Sequence, residues 1–215
     1  MTSATPVKST ISVLDIMKAG PVIPVLAFVS AKEAVAVCAA LYEEGIRVFE
    51  ITLRHESALN AIAAAKKALP ADAIIGAGTV LTPELARAAI DAGAVFGVSP
   101  GLTEELANAV KALGWPFLPG IATLSEAMAA RELGFNELKF FPASISGGPE
   151  FLEAVGSVLP DLTFCPTGGV SADTAALYRT LDNVVTVGGS WITKRGKDGR
   201  IDLTFVRERA RAVFL

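Results

Sequence analysis

The sequence predicts one α/β domain over residues 1–215, built as a single eight-stranded parallel (β/α) TIM barrel with an extra N-terminal helix. Three observations lead there. Eight short runs rich in β-branched and aromatic residues recur along the chain. Most are nearly continuous in apolar residues, as parallel strands covered on both faces are. The segments between them carry helix start and stop signals, with no break in composition and no linker. A doubly wound open sheet shares this local pattern, and the count of eight favours the barrel. At 215 residues, 52% of them hydrophobic and 19% charged, the chain has ample apolar material for one large core.

The elements follow in order. A helix over Ile11–Ala19 precedes the first strand, Val22–Val29. Ser30 and Glu33 form a capping box for the next helix, on which Ala34, Val37, Cys38 and Leu41 make one apolar face, and Gly45 ends it. Strand two is Val48–Leu53 and strand three Ile74–Thr79. Thr82 then caps a helix with Pro83 at its first position, and Gly93 closes it. Strand four is Phe96–Pro100. After Gly114 comes strand five, Pro116–Ile121, then a second capping box from Thr123 and Glu126, and Gly134 at that helix's end. Strand six is Leu138–Ala143 and strand seven Thr163–Gly169, with Ser171 capping the helix beyond it. Strand eight is Val184–Trp191, and Leu203–Phe214 is a final helix.

Charge and composition exclude several classes. Lys and Arg number 19 against 22 Asp and Glu, so the net charge of -3 provides no broad field for nucleic acid or an anionic membrane. No apolar run reaches the roughly 18–20 residues that a membrane span needs. Met1–Thr10 has no apolar stretch of the signal-peptide kind, and a cytoplasmic protein is expected. Cys38 and Cys165 lack the spacing of a redox or zinc motif and read as reduced packing thiols. His55, the sole histidine, stands in a loop, so neither a multi-histidine metal site nor a serine-histidine triad is expected, and no metal is assigned.

Ligands in such folds collect at the carboxyl ends of the strands. Strand six reads Leu138-Lys139-Phe140-Phe141-Pro142 and places a lysine inside an apolar run, where an unpaired charge is costly. Alternation puts Lys139 and Phe141 on the face opposite Phe140, pointing into the barrel. Burial of an amine favours the neutral form, which is the form that attacks a ketone. On position alone, a lysine at an edge or snorkelling to water fits equally well. On strand two, Glu50, Thr52 and Arg54 share one face and Phe49, Ile51 and Leu53 the other, so the polar face is the lumen. A carboxylate there can move protons and a guanidinium can grip a substrate carboxylate; the bland alternative is a buried Glu50–Arg54 ion pair. Strand seven ends Thr167-Gly168-Gly169 and strand eight Gly188-Gly189-Ser190. Both offer backbone amides to an anion, as phosphate loops after strands seven and eight do, though glycine pairs also serve tight turns. Lys194, Arg195, Lys197 and Arg200 form a basic loop, read as solvated and left without a role.

Six motifs at these strand ends resemble the 2-keto-3-deoxy-6-phosphogluconate aldolase family. They are Arg47-Val48-Phe49-Glu50-Ile51-Thr52-Leu53-Arg54, Gly76-Ala77-Gly78-Thr79-Val80, Ser99-Pro100-Gly101-Leu102, Lys139-Phe140-Phe141-Pro142-Ala143, Cys165-Pro166-Thr167-Gly168-Gly169 and Gly188-Gly189-Ser190-Trp191. The resemblance runs from about Gly20 to Trp191. It implies a class I aldolase of the Entner-Doudoroff pathway that cleaves the phosphorylated keto acid to pyruvate and glyceraldehyde 3-phosphate without a cofactor, with side activity on 4-hydroxy-2-oxoglutarate. It implies that Lys139 is the Schiff-base lysine and Glu50 the acid/base, and that Arg54 and Thr79 hold the keto-acid carboxylate. Pro100, Phe141 and Thr167 would shape the pocket, and Gly168, Gly169, Gly189 and Ser190 would hold the phosphate. A homotrimer is also implied.

Ala122, Ser144 and the basic loop depart from the pattern and bear on aldehyde preference. A galactonate-type relative would place its carboxylate-gripping arginine on strand one, but Val22–Val29 has none. Two other readings compete. A metal-dependent phosphosugar barrel enzyme would need several carboxylate or histidine ligands at strand ends, where only Glu50 is well placed. A non-catalytic barrel that binds a phosphorylated metabolite would need only the glycine loops, and the combination of Lys139 with Glu50 argues for chemistry instead.

Overall fold

A computed structural model describes residues 11–214; Met1–Thr10, on which the leader-peptide expectation rests, lies outside the described residues. The order is α1 (Val13–Lys18), β1 (Val22–Leu26), α2 (Ala31–Glu43), β2 (Val48–Thr52), α3 (Ala58–Ala68), β3 (Ile74–Gly78), α4 (Pro83–Asp91), β4 (Phe96–Val98), α5 (Glu104–Ala112), β5 (Phe117–Leu118) and β6 (Gly120–Ile121). There follow α6 (Leu124–Glu132), β7 (Glu137–Phe140), α7 (Gly148–Val158), β8 (Thr163–Pro166), α8 (Ala172–Tyr178), β9 (Val187–Gly189) and α9 (Leu203–Ala212). All strand pairings are parallel, and the architecture is an α/β barrel-like fold.

The expected single eight-stranded sheet is instead two sheets, ordered β5-β4-β3-β2-β1-β9 and β6-β7-β8. The division falls at Pro119, in the middle of the expected fifth strand. Proline has no N–H to give to a ladder, so Phe117 and Leu118 pair with β4 while Gly120 and Ile121 pair with β7. The Pro119 carbonyl still accepts the Lys139 amide at 2.8 Å. On the other side no ladder joins β8 to β9, and the isolated parallel bridges Phe164↔Val184 and Thr167↔Gly188 link the two segments.

Strand six is shorter than read. It stops at Phe140, because Pro142 cannot extend it, and a 3-10 turn follows over Ala143–Ile145. Strand eight begins only at Val187, and Trp191 opens a second 3-10 turn, Trp191–Thr193. The Thr123–Glu126 capping box forms as expected. The Ser30–Glu33 box is half made. Ser30 accepts the Glu33 amide, but the Glu33 carboxylate takes the Val29 amide and pairs with Arg195.

Burial on both strand faces explains the apolar runs. Every residue of β2 is buried. Phe49 and Ile51 join the outer core between strands and helices, where Ala34, Val37, Cys38 and Leu41 of α2 also lie. Val48 belongs to a second, inner cluster with Ile23, Phe96, Val98, Leu118 and Cys165. Ile16 and Met17 of α1 complete that cluster, so the extra N-terminal helix fills one end of the interior. Burying each of these two side chains contributes about 1.5–3 kcal/mol. Among the described residues no helix is long and apolar enough to cross a membrane.

Candidate active site

Lys139 reaches the interior because its neighbours are claimed by the outer core. Leu138 and Phe140 pack outward, and Phe140 stacks on Phe151 of α7 at 4.8 Å between ring centroids. Alternation turns Lys139 inward, between Gly120 of β6 and Cys165 of β8. Only 5% of the residue is exposed. The snorkelling alternative is thereby removed, since the amine stays inside.

Its partner comes from the other sheet. Lys139 Nζ donates to Glu50 Oε1 at 3.1 Å and lies 3.5 Å from Oε2, and Glu50 is 3% exposed. The Phe141 ring centroid is 5.4 Å from Nζ, so an aromatic face also borders the amine. The Glu50–Arg54 ion pair considered above is absent among the described residues. Glu50 pairs across the interior, and Arg54 Nε donates to Thr52 Oγ1 at 3.3 Å. Thr52 in turn donates to the Leu26 carbonyl at 2.9 Å, which fixes the hydroxyl that Arg54 leans on. Arg54 is exposed, and its guanidinium carries five N–H donors.

Gly78 is a site residue that sequence reading passed over except as part of a motif. It stands beside Thr52 in the ladder, and a methyl added there would overlap Glu50 Oε1 and lie 2.7 Å from its Cγ. Only glycine leaves the Glu50 side chain the room to cross to Lys139. Thr79, the next residue, has φ +60°, a left-handed conformation that a β-branched side chain rarely adopts. Such a conformation costs about 1–3 kcal/mol and is concentrated at functional positions.

A cavity of about 130 Å³ opens beside this pair, lined by Val25, Arg54, Phe141, Thr167, Gly168, Gly169, Val170, Gly188 and Ser190. It brings together most of the residues read as carboxylate-binding, pocket-shaping and phosphate-binding. Lys139 and Glu50 do not line it, but Phe141, whose ring borders Nζ, does. Thr79 and Pro100 follow β3 and β4, and Gly189 ends β9; none of these three lines the cavity.

Both glycine pairs make close approaches. Gly168 and Gly169 have φ +91° and +76°, and a methyl at Gly168 would sit 2.9 Å from the Phe141 ring. A methyl at Gly188 would overlap the hydroxyl of Thr167. Thr167, 5% exposed, donates to the Cys165 carbonyl at 3.2 Å.

Burial pushes the Cys165 thiol up to about 12, with Lys139 and the Thr167 hydroxyl acting weakly the other way, and burial also raises Cys38. Both are packing thiols. His55 is exposed, with Nδ1 2.9 Å from Ser57 Oγ. Among the described residues no group of three or more His, Cys, Asp or Glu side chains could hold a metal ion. The basic loop is not uniformly solvated, since Arg195 is folded onto Glu33.

An amine and a carboxylate in contact, both buried and near a cavity lined by a guanidinium and two glycine-rich loops, suit nucleophilic attack on a carbonyl with proton transfer at the same spot. The family model described as "Aldolase: KDPG and KHG aldolase" matches residues 13–205. The "KHG/KDPG aldolase" of Escherichia coli (strain K12) is 44% identical over 178 residues, covering 83% of each chain. The crystal structure of the KDPG aldolase from Legionella pneumophila, with pyruvate captured at low pH as a covalent carbinolamine intermediate, superposes with TM-score 0.91 at 38% identity, covering 94% of this chain and 98% of that one. The 2-keto-3-deoxy-6-phosphogluconate aldolase of Zymomonas mobilis ZM4 with 3-phosphoglycerate superposes with TM-score 0.89 at 36% identity, covering 94% of each.

Proposed function

The chain belongs to the KDPG and KHG aldolase family, and from that premise we propose that it is a class I aldolase whose Lys139 forms the Schiff base. The substrate is 2-keto-3-deoxy-6-phosphogluconate, cleaved to pyruvate and glyceraldehyde 3-phosphate, with 4-hydroxy-2-oxoglutarate as a further substrate. The observation that carries this is the buried contact of Lys139 Nζ with Glu50 Oε1 at 3.1 Å.

Glu50 relays the protons that the reaction moves. Glu50 takes a proton from the lysine ammonium, and the neutral Nζ adds to the C2 ketone to give a carbinolamine. Glu50 returns that proton to the C2 oxygen, then takes a second proton from the carbinolamine nitrogen and passes it to the same oxygen, which leaves as water, and an iminium forms. The iminium draws electrons from the C3–C4 bond while the Glu50 carboxylate takes the C4 hydroxyl proton. The bond breaks, giving the aldehyde and an enamine on Lys139. Protonation at C3 and hydrolysis release pyruvate and restore the amine. No cofactor takes part.

The remaining assignments follow the same reading. Arg54 and Thr79 hold the keto-acid carboxylate, and the exposed guanidinium at the cavity wall supports the first. Pro100, Phe141 and Thr167 shape the pocket. Gly168, Gly169, Gly189 and Ser190 hold the phosphate; the first two and Ser190 line the cavity, which supports this. We read the two sheets as one closed eight-stranded barrel and the chain as one domain. Support comes from the Lys139–Glu50 contact between sheets, the short link through Pro119 and the bridges between β8 and β9. A homotrimer follows from the family resemblance and is checked by molar mass in solution. A cytoplasmic setting fits the two unpaired thiols.

The test is turnover. The protein supplied with the phosphorylated keto acid should release pyruvate and glyceraldehyde 3-phosphate in equal amounts. Saturable binding with no pyruvate released would instead identify a phosphometabolite-binding barrel.

A further inference from the structure

Nothing in the mechanism uses the basic stretch from Lys194 to Arg200, yet one of its residues is held more firmly than a surface charge usually is. Arg195 Nη1 donates to Glu33 Oε1 at 2.7 Å and to the Gly199 carbonyl at 2.9 Å. Its Nη2 donates to Glu33 Oε2 at 2.6 Å and to the Ala27 carbonyl at 3.0 Å. Glu33 Oε2 also accepts the Val29 amide at 3.1 Å. Four of these hydrogen bonds join the loop after β9, the loop after β1 and the first turn of α2, and the fifth, to Gly199, braces the loop itself. The planar fork of a guanidinium facing a carboxylate makes two parallel bonds, a geometry that an ammonium does not reproduce.

The strands from which these two loops leave border the same cavity. Val25 of β1 lines it, and so do Gly188 and Ser190 around the end of β9. Only the 3-10 turn Trp191–Thr193 and Lys194 separate Ser190 from Arg195. That turn has its own anchor, since Arg209 Nη1 donates to the Trp191 carbonyl at 2.9 Å. Ser190 is therefore held upstream by the Gly188–Thr167 bridge and downstream by Arg209 and Arg195. The keto-acid end has separate supports, in Thr52 under Arg54 and Gly78 under Glu50.

We propose that Arg195, clamped to Glu33, is a positioning residue for the phosphate end of the substrate. It holds Gly189 and Ser190 at the separation from Gly168 and Gly169 that a phosphate group requires. This rests on the aldolase reading, in which those four residues take the phosphate. Arg195 touches no substrate atom itself, and its effect passes through the backbone to Ser190. Lys194, Lys197 and Arg200 add positive charge to the same loop, and the Arg200 carbonyl accepts the Gly196 amide at 2.8 Å.

The experiment compares the full-length protein with Arg195→Met, Arg195→Lys, Glu33→Gln and the Arg195→Met/Glu33→Gln double variant. Two readouts separate the ends of the site: the dissociation constant for inorganic phosphate, and borohydride trapping of pyruvate on Lys139. Arg195→Met should weaken phosphate binding by about tenfold, the scale of a sub-ångström misplacement, and leave pyruvate trapping unchanged. Glu33→Gln, which keeps the side-chain volume, should shift phosphate binding in the same direction, and Arg195→Lys should recover only part of the loss. The double variant should be no worse than Arg195→Met alone, because the two residues act as one clamp. Unchanged phosphate binding in Arg195→Met, or an equal loss of trapping and phosphate binding, would overturn the proposal while leaving the aldolase reading intact. Wild-type protein that binds phosphate but traps no pyruvate would instead overturn the aldolase reading, and with it the proposal that rests on it.

Discussion

Replacing Gly78 with alanine tests how tightly the Lys139–Glu50 pair is packed into place. A methyl at this position would overlap Glu50 Oε1 and stand 2.7 Å from Cγ and 2.8 Å from Cδ. Carbon atoms in ordinary contact sit about 3.5–4.0 Å apart, so the carboxylate has to retreat by roughly 1 Å. The bond from Lys139 Nζ to Glu50 Oε1, now 3.1 Å, then lengthens to about 4 Å, past any hydrogen bond. Misplacement on that scale costs roughly a hundredfold in rate, or about 2.7 kcal/mol of barrier. Stability should fall by only about 1–3 kcal/mol, as for an overpacked core position. Steady-state cleavage of the phosphorylated keto acid measures the first, and thermal unfolding the second. We expect kcat to fall much further than the thermal midpoint implies, with KM little changed, since Arg54 and the glycine loops are untouched. A Gly78→Ala enzyme with kcat within about twofold of wild type would refute the reasoning, because that rate requires an undisturbed proton shuttle.

Other consequences follow from the interior and the rim. Met17→Ala should cost about 2–5 kcal/mol, by cavity formation at the end of the interior that α1 fills, and still leave Lys139 able to trap pyruvate; chemical denaturation and trapping check the two halves. Cys165, its thiol pushed up to about 12 by burial, should resist alkylation at pH 8 in the native state, where only about one molecule in ten thousand is thiolate, and react on unfolding. The Glu33 carboxyl is held below the usual carboxylate range, first by the Arg195 hydrogen bonds and then by the Val29 amide, against the opposing effect of burial. Its folded pKa is therefore depressed. The stabilisation it contributes is fully present above the unfolded value near about 4.3 and is lost as pH falls through the folded value. Wild type should be more stable than Glu33→Gln at pH 7, and the gap should close below pH of about 4 in denaturation curves.

Much of the site could be read from periodicity. A charged residue in an apolar strand singled out Lys139, and strict alternation placed Glu50, Thr52 and Arg54 on one face, because side-chain direction in a strand is set by its period of two. What pairs with what could not be read. Glu50 and Lys139 are 89 residues apart and belong to different sheets, so no local rule prefers Lys139 to Arg54, only four residues away, as the partner of Glu50. Arg195 and Glu33 are 162 apart, and a basic loop with glycines looks solvated until the chain closes on itself. Gly78 is legible only once the neighbouring strand's side chain is in place. The break at Pro119, by contrast, lay in the open, since a proline in a strand interior signals an interrupted ladder.

Schiff-base formation on Lys139 is open to direct chemical trapping. The protein is incubated with pyruvate, reduced with borohydride, digested and mapped by mass spectrometry. A reduced pyruvate adduct on the peptide carrying Lys139, absent in Lys139→Ala and without borohydride, is the predicted result. An unmodified Lys139 peptide, or an adduct confined to another lysine, would contradict it.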